Sequence, residues 1–270
     1  MQDPTERGSE RLARVRGVCL DLDGVLYVEE RVVPGAPEAV DGLRAAGLPI
    51  RFLTNTTMRS RRALVEKLRA MRIPADESEV LAAPAAAAEA LRAAGVRRIS
   101  ALVAPDVLEE FAEFEITDAS PEAVVVGDMG DHWTPAILNG ALRHLAAGAR
   151  LVALCKARTW RRDTGIVMDA GPYVAALEFA ARVEASVIGK PAASFFRAAV
   201  ASMRCVPSEA VMIGDDPESD VAAAMAIGMC GVLVLSGKVN EESLDRIGVI
   251  PHAIFPSVAE AAAAIRAARV

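Results

Sequence analysis

Residues Val15 to Leu20 form a short, mostly apolar run that ends in Asp21-Leu22-Asp23-Gly24-Val25-Leu26-Tyr27. Such a run, closed by acidic residues and a glycine, is the pattern of a central parallel strand delivering its C-terminal end to a functional loop. The two carboxylates stand at i and i+2, on one side of an extended chain. In open α/β sheets ligands bind outside the carboxyl ends of the strands, and paired carboxylates there invite a divalent cation. An acidic loop that simply turns at Gly24 is the plain alternative, and the segment alone does not separate the two.

The alternation of elements continues from there. After a loop with Pro34 and Pro37, residues 38–46 carry helical periodicity that stops at Gly47, and residues 49–53 read as the next strand, which makes a βαβ unit. A helix is expected over 60–71. From Leu81 an Ala-rich stretch starts a second series: helices at 84–94, 106–113, 134–148 and near 172–182, with strands at 98–103, 122–127 and 150–155. Thr134-Pro135 is a good N-cap and N1 pair. Residues 185–188 read as the chain's return to the main sheet. Helix 192–204, strand 210–214, helix 217–227, strand 230–235 and a helix after Pro256 would complete it. The expected fold is α/β, a Rossmann-like parallel-sheet core with helices on both faces (residues 12–81 and 186–270) and a smaller inserted α/β domain (82–185). Residues 1–11, charged and without periodicity, read as a frayed tail.

Composition narrows the function. Apolar residues make up 53% of the 270 but aromatics only 4%, so the apolar content is mainly Ala, Val, Leu and Ile, suited to buried strands and Ala-rich helices rather than disorder. A formal charge of −6 disfavours binding along a nucleic-acid backbone. No apolar run approaches the roughly 20 residues that span a bilayer, and Met1 to Glu10 is polar rather than signal-like. A soluble, cytoplasmic protein with no nucleic-acid or membrane partner is expected. Cys19, Cys155, Cys205 and Cys230 form no CxxC pair and read as reduced thiols. His132, His144 and His252 have no spacing that suits a zinc site or a Ser/His/Asp triad, which disfavours histidine-dependent hydrolysis.

Three further segments stand at expected strand ends. Thr54-Asn55-Thr56-Thr57 offers hydroxyl, amide and backbone donors for phosphate oxygens just before a helix start at Ser60, although four short polar residues before a helix are more often an ordinary cap and turn. Gly189-Lys190-Pro191 places a cation at the same edge, where it would neutralise a phosphate; a lone lysine there is usually solvated. Val211-Met212-Ile213-Gly214-Asp215-Asp216-Pro217-Glu218-Ser219-Asp220 is a strand followed by carboxylates. Asp215 is placed to ligate a metal. Asp216 and Asp220 would support the site from behind, Asp220 by orienting Lys190 or metal-bound water, with helix capping as the alternative for Asp216 and Glu218. Asp128 and Asp131, after a similar strand ending in Gly127, lie inside the insert without a preceding lysine segment and read as loop residues.

In chain order, DxDGVLY, TNTT, GKP and GDDxxxxD resemble the four motifs of the haloacid dehalogenase superfamily. The interval of about 130 residues between the second and third resembles the type IIA, or NagD-like, branch, whose cap domain is inserted there. The TNTT form, Lys156-Ala157-Arg158, Gly171-Pro172-Tyr173 and VMIGDD are similar to the subgroup of the phospholysine phosphohistidine inorganic pyrophosphate phosphatases; where those carry a glycine-rich run, this chain has Met168-Asp169-Ala170. The resemblance implies a Mg²⁺-dependent phosphatase acting on a small phosphorylated substrate, with pyrophosphate and phosphoamino acids among the candidates. It implies Asp21 as nucleophile and Asp23 as general acid and base. Thr54 and Asn55 would hold phosphate, Lys190 would stabilise its charge, and Asp21, Asp215 and the main-chain carbonyl of Asp23 would ligate Mg²⁺. It also implies a homodimer through the cap. In that cap, Arg158, Trp160, Arg161, Arg162, Asp169 and Tyr173 would touch the leaving group unless they are merely a solvated hairpin. Competing readings are a phosphotransferase or mutase on the same core, and a metal- and phosphate-binding module without turnover.

Overall fold

The structure, a computed structural model, describes residues 4–162, 165–239 and 248–269, with backbone alone for 4–7 and 160–162. In chain order the strands are β1 (Gly17–Asp21), β2 (Tyr27–Val28), β3 (Arg31–Val32), β4 (Ile50–Thr54), β5 (Val80–Ala82), β6 (Arg98–Leu102), β7 (Glu115–Ile116), β8 (Ala123–Val126), β9 (Arg150–Ala153), β10 (Thr159–Arg162), β11 (Gly165–Met168), β12 (Ser186–Val187), β13 (Ala210–Gly214), β14 (Cys230–Val234) and β15 (Ala253–Phe255). The helices are α1 (Pro4–Ala13), α2 (Ala36–Ala45), α3 (Arg61–Ala70), α4 (Ala83–Ala93), α5 (Pro135–Ala146), α6 (Ala170–Ala181), α7 (Ala193–Ser202), α8 (Ala223–Ala226) and α9 (Val258–Ala268). The chain divides into two compact units, Met1–Thr54 with Val65–Leu81 and Lys190–Val270, and Asn55–Leu64 with Ala82–Gly189.

The first unit is built on a six-stranded sheet in the order β15-β14-β13-β1-β4-β5. The pairs from β15 through β4 are parallel, with Leu20 opposite Ile213 and Asp21 opposite Leu53. β1, β13 and β14 are buried at every position, which is why their sequences read as unbroken apolar runs and why helices must cover both faces. From β1 the chain steps outward to β4 and β5, then returns to the other side of β1 to lay down β13, β14 and β15. The strand order therefore reverses at β1, so its C-terminal end opens on the crevice where such sheets bind ligands.

Helices bury one stripe each. α2 buries Ala36, Ala39, Val40 and Leu43, and α9 buries Val258, Ala261, Ala262 and Ile265, both at 3.6-residue spacing, and the two pack on one another. The expected frayed tail is corrected here: Pro4–Ala13 is helical and packs on α9 and β14. The short segment buries Leu12 and Val15, and an Arg269 guanidinium N–H donates to the Val15 carbonyl. These contacts are made to the far end of the chain, so local periodicity carries no trace of them.

The second unit has a five-stranded parallel sheet, β12-β9-β8-β6-β7. Alternation along β8 sends Ala123 and Val125 into a cluster with Leu91, Val107 and Phe111, and Val124 and Val126 into another with Leu145, Val174 and Leu177. Ser186–Val187, expected to rejoin the main sheet, pairs instead with Val152 and Ala153. Ile188 and Gly189 extend that ladder by donating to the carbonyls of Ala153 and Leu154. Two residues of strand carry no periodicity from which to choose a sheet. The helix expected at 106–113 is a 3₁₀ segment over Pro105–Phe111, and that at 217–227 is a π-helical turn, Pro217–Ala222, running into α8. Among the described residues no helix is long and apolar enough to cross a membrane.

The Thr134 cap forms as expected: its hydroxyl accepts from the Ile137 N–H at 3.3 Å, with Pro135 opening α5. Thr134→Ala should cost about 1 kcal/mol of stability, read as a lower urea midpoint with an unchanged slope.

Candidate active site

Parallel pairing assembles the site. β1 ends at Asp21, β4 ends at Thr54 beside it, and β13 ends at Gly214 so that Asp215 follows at the same edge. Lys190 enters the first unit there and lies 3% exposed, its Nζ 2.8 Å from Asp21 Oδ1 and 2.7 Å from Asp220 Oδ1. Asp21 Oδ1 also accepts from the Leu22 N–H at 2.8 Å. Asp220 is fully buried in the π-helical turn, and its Oδ2 accepts from the Asp216 N–H at 3.3 Å. Lys190 is thus shared by two carboxylates from distant parts of the chain rather than solvated.

Asp216 follows its capping alternative. Its carboxylate accepts from the N–H groups of Glu218 and Ser219 at 3.0 and 2.9 Å, and pairs with Lys238 Nζ at 2.8 Å. Asp215 is different. Its Oδ2 accepts from the Lys238 N–H at 2.8 Å, while its Oδ1 is buried without a hydrogen-bond partner. Gly24 has φ +79°, and a Cβ there would lie 2.1 Å from Asp215 Oδ2, so the turn after Asp23 needs glycine both for its conformation and for this close approach.

Carboxylate oxygens of Asp21, Asp215 and Asp220 all lie within 4.8 Å of one another, the one such group of potential metal ligands among the described residues. Burial, reinforced by the charge on Asp220, pushes the Asp215 carboxyl up to about 6. Burial and then the charge on Asp21 push Asp220 up to about 7, against the pull of Lys190. Burial also raises Asp21, with Lys190 opposing and Asp215 adding to it. Burial alone would lower the Lys190 ammonium, but Asp21 and Asp220 outweigh that and raise it, so it stays charged. The Lys190 ammonium therefore sits among three crowded carboxylates, with the more exposed Lys238 also drawing on Asp215, and the unpartnered Asp215 Oδ1 is the kind of hard oxygen donor a small divalent cation takes. The donor set fits Mg²⁺.

Other expected site residues sit as follows. The Asp23 side chain is exposed and outside the acidic group, in which Asp220 stands instead. Asn55 belongs to the second unit, where its Oδ1 comes so close to Gly189 that a Cβ there would be 2.4 Å away. Thr57 accepts from the Asp128 N–H at 2.8 Å, and Asp128 in turn accepts from the Gly130 N–H, consistent with loop structure. Arg158 is exposed beside the β10–β11 hairpin, and the side chains of Trp160, Arg161 and Arg162 lie outside the described residues. Tyr173 stacks on Trp133 with ring centroids 4.1 Å apart, and Asp169 caps α6. The sequence reading missed the loop after β14, where Ser236 Oγ donates to the Gly24 carbonyl at 2.6 Å and Lys238 reaches Asp215 and Asp216. Its position at the end of the strand next to β13 was the available signal.

A family model described as haloacid dehalogenase-like hydrolase matches residues 18–117, and a second HAD-hydrolase-like model matches 187–261. Human haloacid dehalogenase-like hydrolase domain-containing protein 2 is 41% identical over 238 residues, 88% of this chain and 91% of the relative. The chain belongs to the haloacid dehalogenase-like hydrolases. Within that family it is related to the bovine phospholysine phosphohistidine inorganic pyrophosphate phosphatase, 39% identical over 85% of this chain and 86% of the relative. Among solved structures, p-nitrophenyl phosphatase from Archaeoglobus fulgidus matches with TM-score 0.88 and 30% identity, over 93% of this chain and 99% of that one. NagD from E. coli K-12 matches with TM-score 0.82 and 29% identity, over 91% and 98%. This haloacid dehalogenase-like hydrolase is a phosphatase of the NagD-like type.

Proposed function

We propose that the phosphatase is Mg²⁺-dependent and hydrolyses a small phosphorylated substrate through an aspartyl-phosphate on Asp21. The observation that carries this is the Asp21 carboxylate held at the switch-point edge, 2.8 Å from the Lys190 ammonium and beside the unpartnered oxygen of Asp215. Asp21, Asp215 and the main-chain carbonyl of Asp23 would hold Mg²⁺, which when bound supplies the positive charge that lets an anionic nucleophile approach an anionic phosphate.

The chain's own groups then account for the chemistry. An oxygen of Asp21 attacks phosphorus as the bond to the leaving oxygen breaks, and the exposed Asp23 carboxyl gives that oxygen a proton. Water next attacks the phosphorus of the aspartyl-phosphate, Asp23 takes its proton, and the bond to the Asp21 oxygen breaks to release phosphate. Lys190 neutralises charge on the transferring group, and Thr54 and Asn55 hold its oxygens. Asp220 keeps Lys190 in place from behind. Residues 82–185 act as the cap, with the chain a homodimer through it, and Arg158 is a candidate contact for the leaving group. The relatives' names suggest pyrophosphate, phospholysine, phosphohistidine and p-nitrophenyl phosphate as the first substrates to try.

Phosphate release from a panel of esters, pyrophosphate and phosphoamino acids, with Mg²⁺ or EDTA, tests the reading. Metal-dependent release is expected; transfer of the phosphoryl group to an added sugar without phosphate release would favour a phosphotransferase instead.

Cation binding should also compete with protons. Asp215 and Asp220 have raised carboxyl pKa values in the metal-free fold, so the native state binds protons that the unfolded chain has already lost, and metal-free stability falls as pH rises from about 4 to about 7. Mg²⁺ needs its ligand Asp215 ionised, so its stabilisation grows as pH rises through about 6. At 100 times its Kd the ion should add about 2.7 kcal/mol at pH 7.5, or roughly 5–10 °C in Tm, and far less at pH 5. A Tm increment independent of pH would contradict the assignment.

A further inference from the structure

The segment Ser236-Gly237-Lys238, between the end of β14 and Val239, belongs to none of the motifs that carry the chemistry, yet it touches two of them at once. Ser236 Oγ donates to the Gly24 carbonyl at 2.6 Å, and Gly24 is the residue directly after Asp23. The Lys238 N–H donates to Asp215 Oδ2 at 2.8 Å, and Lys238 Nζ reaches Asp216 Oδ2 at 2.8 Å. Between them, Gly237 has no room for a side chain: a Cβ would lie 2.0 Å from Asp215 Oδ2 and 2.7 Å from the Gly24 Cα.

We infer that this loop is the positioning element of the cation site, setting the Asp23–Gly24 peptide and the Asp215 carboxylate in the geometry a divalent ion requires. The inference rests on the magnesium reading and goes beyond it. By holding Asp215 Oδ2, the Lys238 N–H fixes the plane of the carboxylate and leaves Oδ1, the buried oxygen without a partner, as the free donor. By holding the Gly24 carbonyl, Ser236 fixes the peptide unit next to the one whose oxygen, that of Asp23, is the expected main-chain ligand. The loop is anchored by Val239, buried in a cluster with Val221 and Leu233, so it is tied to both β14 and the turn that carries Asp220. A small octahedral ion tolerates little error in ligand placement, so removal of such outer hydrogen bonds weakens affinity by about 10- to 100-fold.

The test is calorimetric titration of MgCl₂ into EDTA-stripped, dialysed full-length protein, comparing wild type, Ser236→Ala, Ser236→Thr and Gly237→Ala, with the metal-free Tm of each. Ser236→Ala and Gly237→Ala are expected to lose about 10-fold or more in Mg²⁺ affinity. Ser236→Ala should keep a metal-free Tm within a few degrees of wild type, and Ser236→Thr, which retains the hydroxyl, should recover the affinity. Wild-type affinity in Ser236→Ala would overturn the loop's role while leaving the magnesium reading intact. A weakened affinity that tracks a matching fall in metal-free Tm and is not recovered by Ser236→Thr would overturn it too, as ordinary loss of structure. Wild-type protein that takes up no Mg²⁺ would overturn the magnesium reading itself.

Discussion

Asp21→Asn should eliminate turnover while leaving the protein folded. Removing the nucleophile of a hydrolase costs up to about 10⁶ in kcat, so phosphate release should fall by at least roughly 10⁴-fold on every substrate of the panel. The substitution keeps the shape of the side chain and its place at the end of β1. It also removes a charge that burial and Asp215 already disfavour, and Lys190 keeps Asp220 as its partner. The metal-free Tm should therefore stay near that of wild type or rise. Steady-state release with and without Mg²⁺, beside a thermal melt, separates lost chemistry from lost fold. Full metal-dependent turnover in this variant would end the aspartyl-phosphate proposal.

Lys190→Met should be the most destabilising single change in the site. The ammonium is the shared partner of Asp21 and Asp220, both buried, and methionine fills a similar volume without charge. Breaking a buried ion pair by deleting one partner costs about 3–5 kcal/mol, because the remaining charges are left without compensation. At pH 7.5 and without metal, the urea midpoint should drop accordingly. The loss should shrink toward pH 5, where Asp220 takes up a proton and no longer needs the lysine. Activity should be lost at both pH values, since Lys190 is the one buried lysine or arginine of the first unit among the described residues and is placed to neutralise the transferring phosphate. A loss of stability that is the same at pH 5 and pH 7.5 would show that packing, not charge, accounts for Lys190.

Much of the fold was legible because strands buried on both faces have no choice but to be apolar throughout, and β1, β13 and β14 read as such. The helices α2, α5 and α9 carried their stripe and, in α5, their Thr134-Pro135 start. Elements that depend on distant partners were not legible. The α1 segment is helical although its sequence is charged, because it packs on the last helix and β14 and buries Leu12. Ser186–Val187 is too short to announce which sheet it joins. In the site, the sequence places Asp220 as a supporting group behind Lys190; it pairs with Lys190, and it also stands in the acidic group where the exposed Asp23 side chain does not.

The sequence by itself determined which chemistry is available. Carboxylates at residues 21, 23 and 215, hydroxyl and amide donors at 54–57 and a lysine at 190 each follow a run that must be a strand, so each was destined for a strand's C-terminal end. Only the tertiary structure decided that β1, β4 and β13 are neighbours, that the strand order reverses at β1, and that one buried ammonium answers both Asp21 and Asp220. It alone brought the Ser236–Lys238 loop onto Gly24 and Asp215. The reason is physical: hydrophobic periodicity is written within a few residues, whereas strand pairing, burial of charge and the choice of hydrogen-bond partner are settled among groups up to 254 positions apart.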